Sequence, residues 1–284
     1  MQIHVLLPTD FSENASSAAL YALQLFKKSE CTFYYLHSLA YLNNTTRTYI
    51  TSTHVKSRKE EASRQLADLK QNSEQENTNN KHRFETILTD ATLKKAVSNA
   101  VDHSGIDVIV MGTRGATGAK EVLFGSNTVK VFKYSKCPVL AVPANFEYET
   151  PHEILFPTDL NVEFKSSQLN ILIELVRKSH GRVNAMHVSE KTKLSDKQEN
   201  NKKELKILFK DVAFLFHDIK TMELLHAIEK FQIKHKINLL VMIKNKHSFL
   251  ENLFYKNTIN NIVFHLTIPF LVIPINNDAE FGRP

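Results

Sequence analysis

Four apolar stretches occur twice in this chain of 284 residues, in the same order both times, and this repeat limits the possible folds more than any other feature. The matched pairs are 5–11 with 153–160, 34–38 with 184–189, 107–111 with 238–242, and 138–143 with 269–274. The spacing between equivalent residues falls from 149 at Asp10 and Asp159 to 131 at Met111 and Met242. We therefore expect the second copy to lack about one helix between His187 and Met242.

Each copy alternates short apolar runs with segments whose apolar residues recur at helical spacing. In the first copy, Ala19 and Ala22 share one face of a helix that Ser12 can cap, and a later helix is expected to end near Gly105. This alternation predicts an α/β fold, with two tandem doubly wound parallel-sheet (Rossmann-like) domains. The segment 72–81, rich in Asn, Gln and Glu, is expected to be a mobile connection.

The repeat places the two domains at residues 1–145 and 151–277, with a linker at 144–152. Each domain ends in a short apolar strand flanked by prolines, at 139–142 in the first and at 270–273 in the second. Because an unpaired strand of this kind invites aggregation, we expect the two strands to pair antiparallel, so that the domains form an internal pseudo-dimer. The sequence is also compatible with a further homodimer.

The charge balance is mild, with 36 basic and 30 acidic residues and a net charge of +6. No stripe of basic residues interleaved with aromatic ones occurs, so we do not expect a nucleic-acid partner. No run of about 18 apolar residues occurs either, so we expect no membrane span. Because the chain enters a strand at Ile3, we also expect no secretory signal. Cys31 and Cys137 lie far apart, as expected of free thiols in a cytoplasmic protein.

Residues 108–128 contain four of the seven glycines of the chain. They follow an apolar run ending at Met111, which is typical of a buried strand, and the segment after Ser126 is expected to form a helix. Glycines in such a strand-to-helix loop let backbone N–H groups close around an anion, and the helix N-terminus adds partial positive charge. A turn that only needs positive φ angles is the alternative, but four glycines in one such loop favour phosphate binding.

The spacing of these glycines excludes two common phosphate loops. Residues 118–121 (GAKE) break the Walker pattern, and Gly112 and Gly115 are too far apart for the dinucleotide fingerprint G-x-G-x-x-G. What remains is G-x-x-G, nine residues, then G-S, with Gly125 and Ser126 closing the pattern. This pattern resembles the nucleotide-binding loop of the universal stress protein family. Both copies resemble domains of that family, so the chain is similar to a tandem two-domain member.

The resemblance implies a stress-response sensor or switch that binds ATP, with or without Mg, through its N-terminal domain only. It implies that Asp10 contacts the ribose, with Pro8 and Thr9 beside it. The backbone near Ser38 would contact adenine. An aspartate after a strand is also common at the start of a helix, so Asp10 alone does not decide the question. The residues implied around the phosphates and sugar are Met111, Gly112, Arg114, Gly115, Gly125, Ser126, Asn127 and Thr128. Ser126 is also expected to cap the helix that follows.

The second copy departs from this pattern. No glycine occurs directly after its matching strand, in residues 243–248, and Tyr255 and Lys256 stand where Gly125 and Ser126 would fall, one residue out of register. A side chain there would crowd the phosphate path, whereas Gly125 has no Cβ and is free to adopt a positive φ. Asp159 is present, but an aspartate without a phosphate-binding loop does not make a nucleotide site. We therefore expect the second copy to be structural or regulatory.

No catalytic group can be assigned from the sequence. The thirteen histidines are scattered, without the clustered carboxylates or cysteines of a metal site, and His37 and His187 are expected to pack at matching strand ends. No G-x-S-x-G motif or water-activating base can be identified, so any ATP hydrolysis would be slow. Two alternatives to a binding switch remain: an enzyme of the same superfamily that hydrolyses ATP or transfers adenylyl groups, and a nucleotide-free interaction module.

Overall fold

The computed structural model describes residues 2–40, 52–113, 124–189, 193–220, 224–244 and 267–275. The chain divides into two compact units, Met1–Tyr148 and Glu149–Pro284. The division falls inside the segment that separates the two copies of the sequence repeat. Each unit contains five parallel strands with helices between them, so the predicted tandem α/β architecture is confirmed.

The first unit follows the predicted alternation of strand and helix. Its elements are β1 (Gln2–Pro8), α1 (Glu13–Leu25), β2 (Glu30–Ser38), α2 (Ser52–Glu76), β3 (His82–Thr89), α3 (Leu93–Ser104), β4 (Val108–Gly112), α4 (Ser126–Tyr134) and β5 (Val139–Val142). The strands pair in the order β3-β2-β1-β4-β5, and every pair is parallel. The order therefore changes direction between β1 and β4, which is where open α/β sheets leave a crevice.

The second unit repeats this arrangement. Its elements are β6 (Glu153–Pro157), α5 (Ser166–Ser179), β7 (Arg182–Val188), α6 (Asp196–Leu208), β8 (Ala213–Ile219), α7 (Leu224–His235), β9 (Leu239–Lys244) and β10 (Phe270–Pro274). Its strands pair in parallel in the order β10-β9-β6-β7-β8. The equivalent change of direction lies between β6 and β9.

Helices cover the faces of a parallel sheet and bury it, so the central strands are mostly apolar. All five residues of β4 are buried, as are Val5 and Leu6 of β1 beside it. In the second unit Leu155 and Leu240 pair across β6 and β9, and both side chains are fully buried. These strands form the buried centre of each sheet.

Several predicted helix ends are confirmed. The Ser12 side chain accepts a hydrogen bond from the backbone N–H of Ala15 and caps α1. Helix α3 ends at Gly105, which has φ +60° and lies in the left-handed region. In the part of the chain that the structure describes, no helix is both long enough and apolar enough to cross a membrane. The pairing of the last strands of the two copies stays a prediction.

Between His187 and Met242 the described residues of the second copy include two helices, so the helix expected from residue spacing to be missing there is present. The second copy contains α6 in the place of α2, but α6 has 13 residues and α2 has 25. The spacing between equivalent residues counts amino acids rather than elements, so a shortened helix and a lost helix give the same offset. The difference between the copies lies mostly in the length of this one helix.

The segment 72–81 is ordered, so its prediction as a mobile connection is wrong. Helix α2 continues to Glu76, and a turn built by asparagine side chains follows it. Asn77 Nδ2 donates to Asn79 O at 2.7 Å, and Asn79 Nδ2 donates to the carbonyl oxygens of Lys27 and Ser29 at 2.9 and 2.8 Å. Polar composition indicated mobility here, but asparagine amides can hydrogen-bond the backbone and fix a turn.

Candidate nucleotide-binding site

The predicted Pro8–Asp10 turn and the predicted Gly112 lie at the carboxyl ends of neighbouring strands. Strand β1 pairs with β4 through Val5 with Val108, so both strands end at the same edge of the sheet. This is the point at which the strand order changes direction. Ligands of open α/β sheets bind in the crevice at such a point. The structure therefore brings the two halves of the predicted site together.

The start of α4 is fastened to the end of β4. The N–H of Gly125 donates to Thr113 O at 2.7 Å, and the hydroxyl of Thr128 donates to Gly112 O at 2.9 Å. Thr128 is buried, so its hydroxyl positions the loop ends rather than facing solvent. Thr113 was not predicted from the sequence, although it extends the strand by donating its N–H to Val142 O at 2.9 Å. The loop between residues 113 and 124 thus has both ends fixed.

Helix α4 begins without a side-chain cap. Gly125 is the N-cap residue and Ser126 is the first helical residue, so the prediction that Ser126 caps this helix is wrong. The helices that do begin with a Ser or Thr cap are α1, α3 and α6, whose caps are Ser12, Thr92 and Ser195. Among the described residues, the N–H groups of Ser126 and Asn127 have no acceptor. They are therefore available to an anion at the positive end of the helix.

Gly125 does not need to be glycine for its backbone conformation. Its φ and ψ are −61° and 154°, an extended conformation open to any residue, so the expected positive φ is wrong. Gly112 lies within β4, and among the described glycines only Gly105 has a positive φ. The alternative interpretation, a turn that merely needs positive φ angles, does not explain these two glycines. Backbone conformation is therefore not the reason for a glycine at these two positions.

The turn after β1 holds its conformation through side-chain hydrogen bonds. Phe11 has φ +62°, and its N–H donates to Thr9 Oγ1 at 3.0 Å. Both the N–H and the hydroxyl of Ser12 donate to Asp10 Oδ1, at 3.1 and 2.5 Å. Asp10 itself is exposed at this edge of the sheet. Asp10 thus lies at the solvent-accessible edge of the sheet, with its Oδ1 bonded to Ser12.

His37 supports this turn from β2. It is buried, which agrees with its predicted packing at a strand end, and its Nδ1–H donates to Thr9 O at 2.8 Å. Its ring lies 4.4 Å from the Phe11 ring, between centroids. Ser38 comes next, and its hydroxyl donates to Ala91 O at 2.6 Å, while the predicted contact of its backbone with adenine stays a prediction. The contact between Phe11 and His37 was not predicted, because nothing in the sequence indicated that the Phe11 ring packs against β2.

The equivalent turn of the second unit has the same geometry. Leu160 has φ +58° and donates its N–H to Thr158 Oγ1 at 3.1 Å. The N–H of Asn161 donates to Asp159 Oδ1 at 3.0 Å. The turn conformation is therefore independent of the glycine loop, which only the first copy contains.

Helix α6 bonds directly to this second turn. Gln198 Nε2 donates to Asp159 O at 2.9 Å, and Asn201 Nδ2 donates to Leu160 O at 2.8 Å. Asn201 is buried. Two amide side chains thus cover backbone groups of the turn that corresponds to Pro8–Asp10.

Some predicted residues lie outside the described part of the chain. These are Arg114 and Gly115 in the first copy and Tyr255 and Lys256 in the second. Within the described ranges, no group of three His, Cys, Asp or Glu side chains is placed to hold a metal ion.

The fold and the crevice define a tandem α/β protein of the kind that binds ligands at a switch in strand order. A family model described as "Universal stress protein family" matches residues 1–143. The chain belongs to the universal stress protein family.

Relatives and solved structures agree with this assignment. Universal stress protein MJ0577 of Methanocaldococcus jannaschii is 31% identical over 157 residues, which cover 49% of this chain and 93% of that protein. Universal stress protein YxiE of Bacillus subtilis is 40% identical over 58 residues, 20% of this chain and 39% of that protein. The crystal structure of a universal stress protein from Archaeoglobus fulgidus has a TM-score of 0.68 at 20% identity and covers 97% of both chains. That last likeness extends the shared fold to both units.

Proposed function

We propose that this chain is a stress-response switch that binds one adenine nucleotide, ATP, in the crevice of the first unit. The observation that carries this proposal is the uncapped start of α4 at the change in strand order. There, Gly125 has no conformational need to be glycine, and the N–H groups of Ser126 and Asn127 have no acceptor among the described residues. A triphosphate group satisfies these N–H groups and the helix dipole together.

The ribose lies against the turn after β1 in this proposal. Asp10 is exposed there, with its Oδ1 bonded to Ser12, and it accepts a hydrogen bond from a ribose hydroxyl. Such a bond to a charged group is worth about 1.5–3 kcal/mol. Adenine then lies near the end of β2, where the backbone at Ser38 contacts it.

We infer a binding role rather than rapid catalysis. Among the described residues, the titratable side chains at the turn after β1 are Asp10 and His37. Oδ1 of Asp10 is engaged by Ser12, and His37 is buried against Thr9 and Phe11. Neither side chain is placed to activate a water molecule at the phosphates, so hydrolysis of ATP is slow.

Only the first unit binds nucleotide in this proposal. In the second unit the turn that contains Asp159 already receives hydrogen bonds from Gln198 and Asn201. A ligand that used the carbonyl oxygens of this turn would have to displace these amides, and leaving the buried Asn201 amide without a partner would cost about 1–3 kcal/mol. The sequence after β9 also lacks the glycines of the phosphate loop.

The test uses matched variants of the two copies. Asp10→Ala and Asp159→Ala remove equivalent carboxylates that make equivalent turn contacts, so their structural costs are similar. In titration calorimetry with ATP, with Mg²⁺ and with EDTA, we expect one site per chain. Asp10→Ala should weaken binding about ten- to a hundredfold, and Asp159→Ala should leave it unchanged.

Two equal sites per chain, or equal effects of the two variants, would contradict the proposal. Mass spectrometry of the ligand released from purified protein identifies the bound nucleotide. No bound or added nucleotide in either assay would favour the nucleotide-free interaction module instead. A phosphate-release assay on the same samples separates a binding switch from an ATP hydrolase.

A further inference from the structure

A groove with an apolar floor lies between α3 and α4 of the first unit. Val97 and Val101 of α3 and Val131 of α4 line its floor. Its volume is about 60 Å³, which is room for several water molecules or for one aliphatic side chain. The groove lies along the second half of α4, away from the first turn of the helix at Ser126.

Lysine side chains surround this floor. Lys94 lies on α3, Lys130 on α4, and Lys136 just beyond α4. Lys136 Nζ is 3.9 Å from a carboxylate oxygen of Asp102. Within the described ranges, neither Lys94 nor Lys130 forms an ion pair. Two of the three ammonium groups thus present their charge without an acidic neighbour.

An exposed tyrosine stands at the edge of the groove. Tyr134 is 48% exposed, and Lys94 Nζ lies 3.7 Å from the centroid of its ring. Lys133 Nζ lies 5.6 Å from the same centroid. Such cation–π contacts hold the ring in place at little further entropic cost. Tyrosine is among the residues that most often dominate the energy of protein interfaces.

We propose that this groove binds an acidic segment of a partner protein, which inserts one aliphatic side chain between α3 and α4. Its carboxylates then lie against Lys94 and Lys130, and its backbone packs against Tyr134. An apolar centre with a charged rim is the usual anatomy of a protein interface. A nucleic acid fits less well, because a phosphate backbone needs a track of cations and leaves the apolar floor unused.

This proposal does not rest on nucleotide binding. The groove uses the second half of α4, whereas the nucleotide site uses its first turn. Failure of one proposal therefore leaves the other standing.

The test measures the fluorescence anisotropy of a short labelled peptide in which glutamates flank one leucine, with the full chain titrated in. Two further peptides carry serine for the leucine or lysines for the glutamates. The double variant Lys94→Glu/Lys130→Glu reverses the charge of the rim. Its matched control, Lys203→Glu/Lys206→Glu, makes the same change in net charge on exposed positions of α6. Ser98→Trp fills the groove without changing charge.

We expect the acidic leucine peptide to bind, and to bind less tightly at high salt. The rim variant and Ser98→Trp should each weaken it at least about tenfold, while the α6 control binds as wild type. Circular dichroism checks that each variant is folded. No binding of the acidic peptide, equal binding of the serine peptide, or an equal effect of the α6 control would overturn the proposal. Equal competition by a single-stranded oligonucleotide would also overturn it, in favour of a general polyanion surface.

Discussion

Replacing Gly125 with valine should abolish nucleotide binding while leaving the protein folded. The phosphate in the proposed complex accepts hydrogen bonds from the N–H groups of Ser126 and Asn127, immediately after Gly125. A branched Cβ at position 125 stands beside these groups and keeps the phosphate away. Two charge-assisted hydrogen bonds at about 1.5–3 kcal/mol each correspond to a loss of affinity of more than about a hundredfold.

The stability of this variant follows from the backbone at Gly125. With φ −61° and ψ 154°, valine is accommodated without backbone strain. Valine is a poorer N-cap than glycine, at a cost on the order of 0.5–1 kcal/mol. It also restricts the unfolded chain, which stabilises the folded state by about 0.4–1 kcal/mol. The two effects nearly cancel, so the free energy of unfolding should change little.

Gly105→Ala is the matched control, because it should have the opposite effects. Gly105 has φ +60°, and a Cβ built there meets no atom within 4 Å, so the cost is one of backbone conformation alone. Alanine in the left-handed region costs about 1–2 kcal/mol. The variant should lose that much stability and bind ATP as wild type does.

Urea unfolding followed by circular dichroism and ATP titration calorimetry should be run on the same preparations of both variants. An ATP affinity of Gly125→Val within a few-fold of wild type would refute the assignment of the phosphate loop. A large loss of stability in Gly125→Val would show instead that the glycine serves the fold.

Three further predictions each concern a single buried or partly buried residue: Thr128, Cys31 and His217. Thr128→Val removes the hydroxyl bonded to Gly112 O, so urea unfolding should show a loss of about 1–3 kcal/mol, which Thr128→Ser should avoid. Burial, with a smaller effect of two nearby carboxylates, raises the pKa of the Cys31 thiol to about 12. Ellman's reagent should therefore label Cys31 at pH 8 only after denaturation, and rapid labelling of the folded protein would contradict this. Burial, followed by neighbouring positive charges, lowers the pKa of His217. Because the unfolded chain then binds more protons, the free energy of unfolding should fall as pH drops below about 6.5, with a shallower slope in His217→Gln.

The sequence predicts the strands and their alternation with helices along the chain well, for a physical reason. Parallel strands are buried on both faces, so β4 is a continuous apolar run that stands out in the sequence. The position of the candidate site follows from the same rule, since the carboxyl ends of β1 and β4 meet at one edge. With β1 and β4 paired, as the structure shows, Asp10 and Gly112 lie at the same edge of the sheet.

Contacts between distant residues could not be predicted in this way. Asn201 bonds to Leu160 O across 41 residues, and Asn79 fixes a turn 50 residues away at Ser29. Neither asparagine differs in local pattern from an exposed polar residue. The conformation of Phe11 is a similar case, because its positive φ depends on Thr9 and on its packing against His37.

The twin turns at Phe11 and Leu160 bear on how functional sites are recognised. A bulky residue at positive φ is commonly a sign of an active site, because strain persists where function requires it. Here both copies contain the same turn, although only the first has the glycine loop. A sequence repeat thus provides its own reference: a backbone conformation kept in both halves is explained by the scaffold alone, and a feature found in one half only is a candidate for a function specific to that half. By that comparison, the positive φ of Phe11 is not evidence of a functional site. The residues that have no counterpart in the second copy are the better candidates.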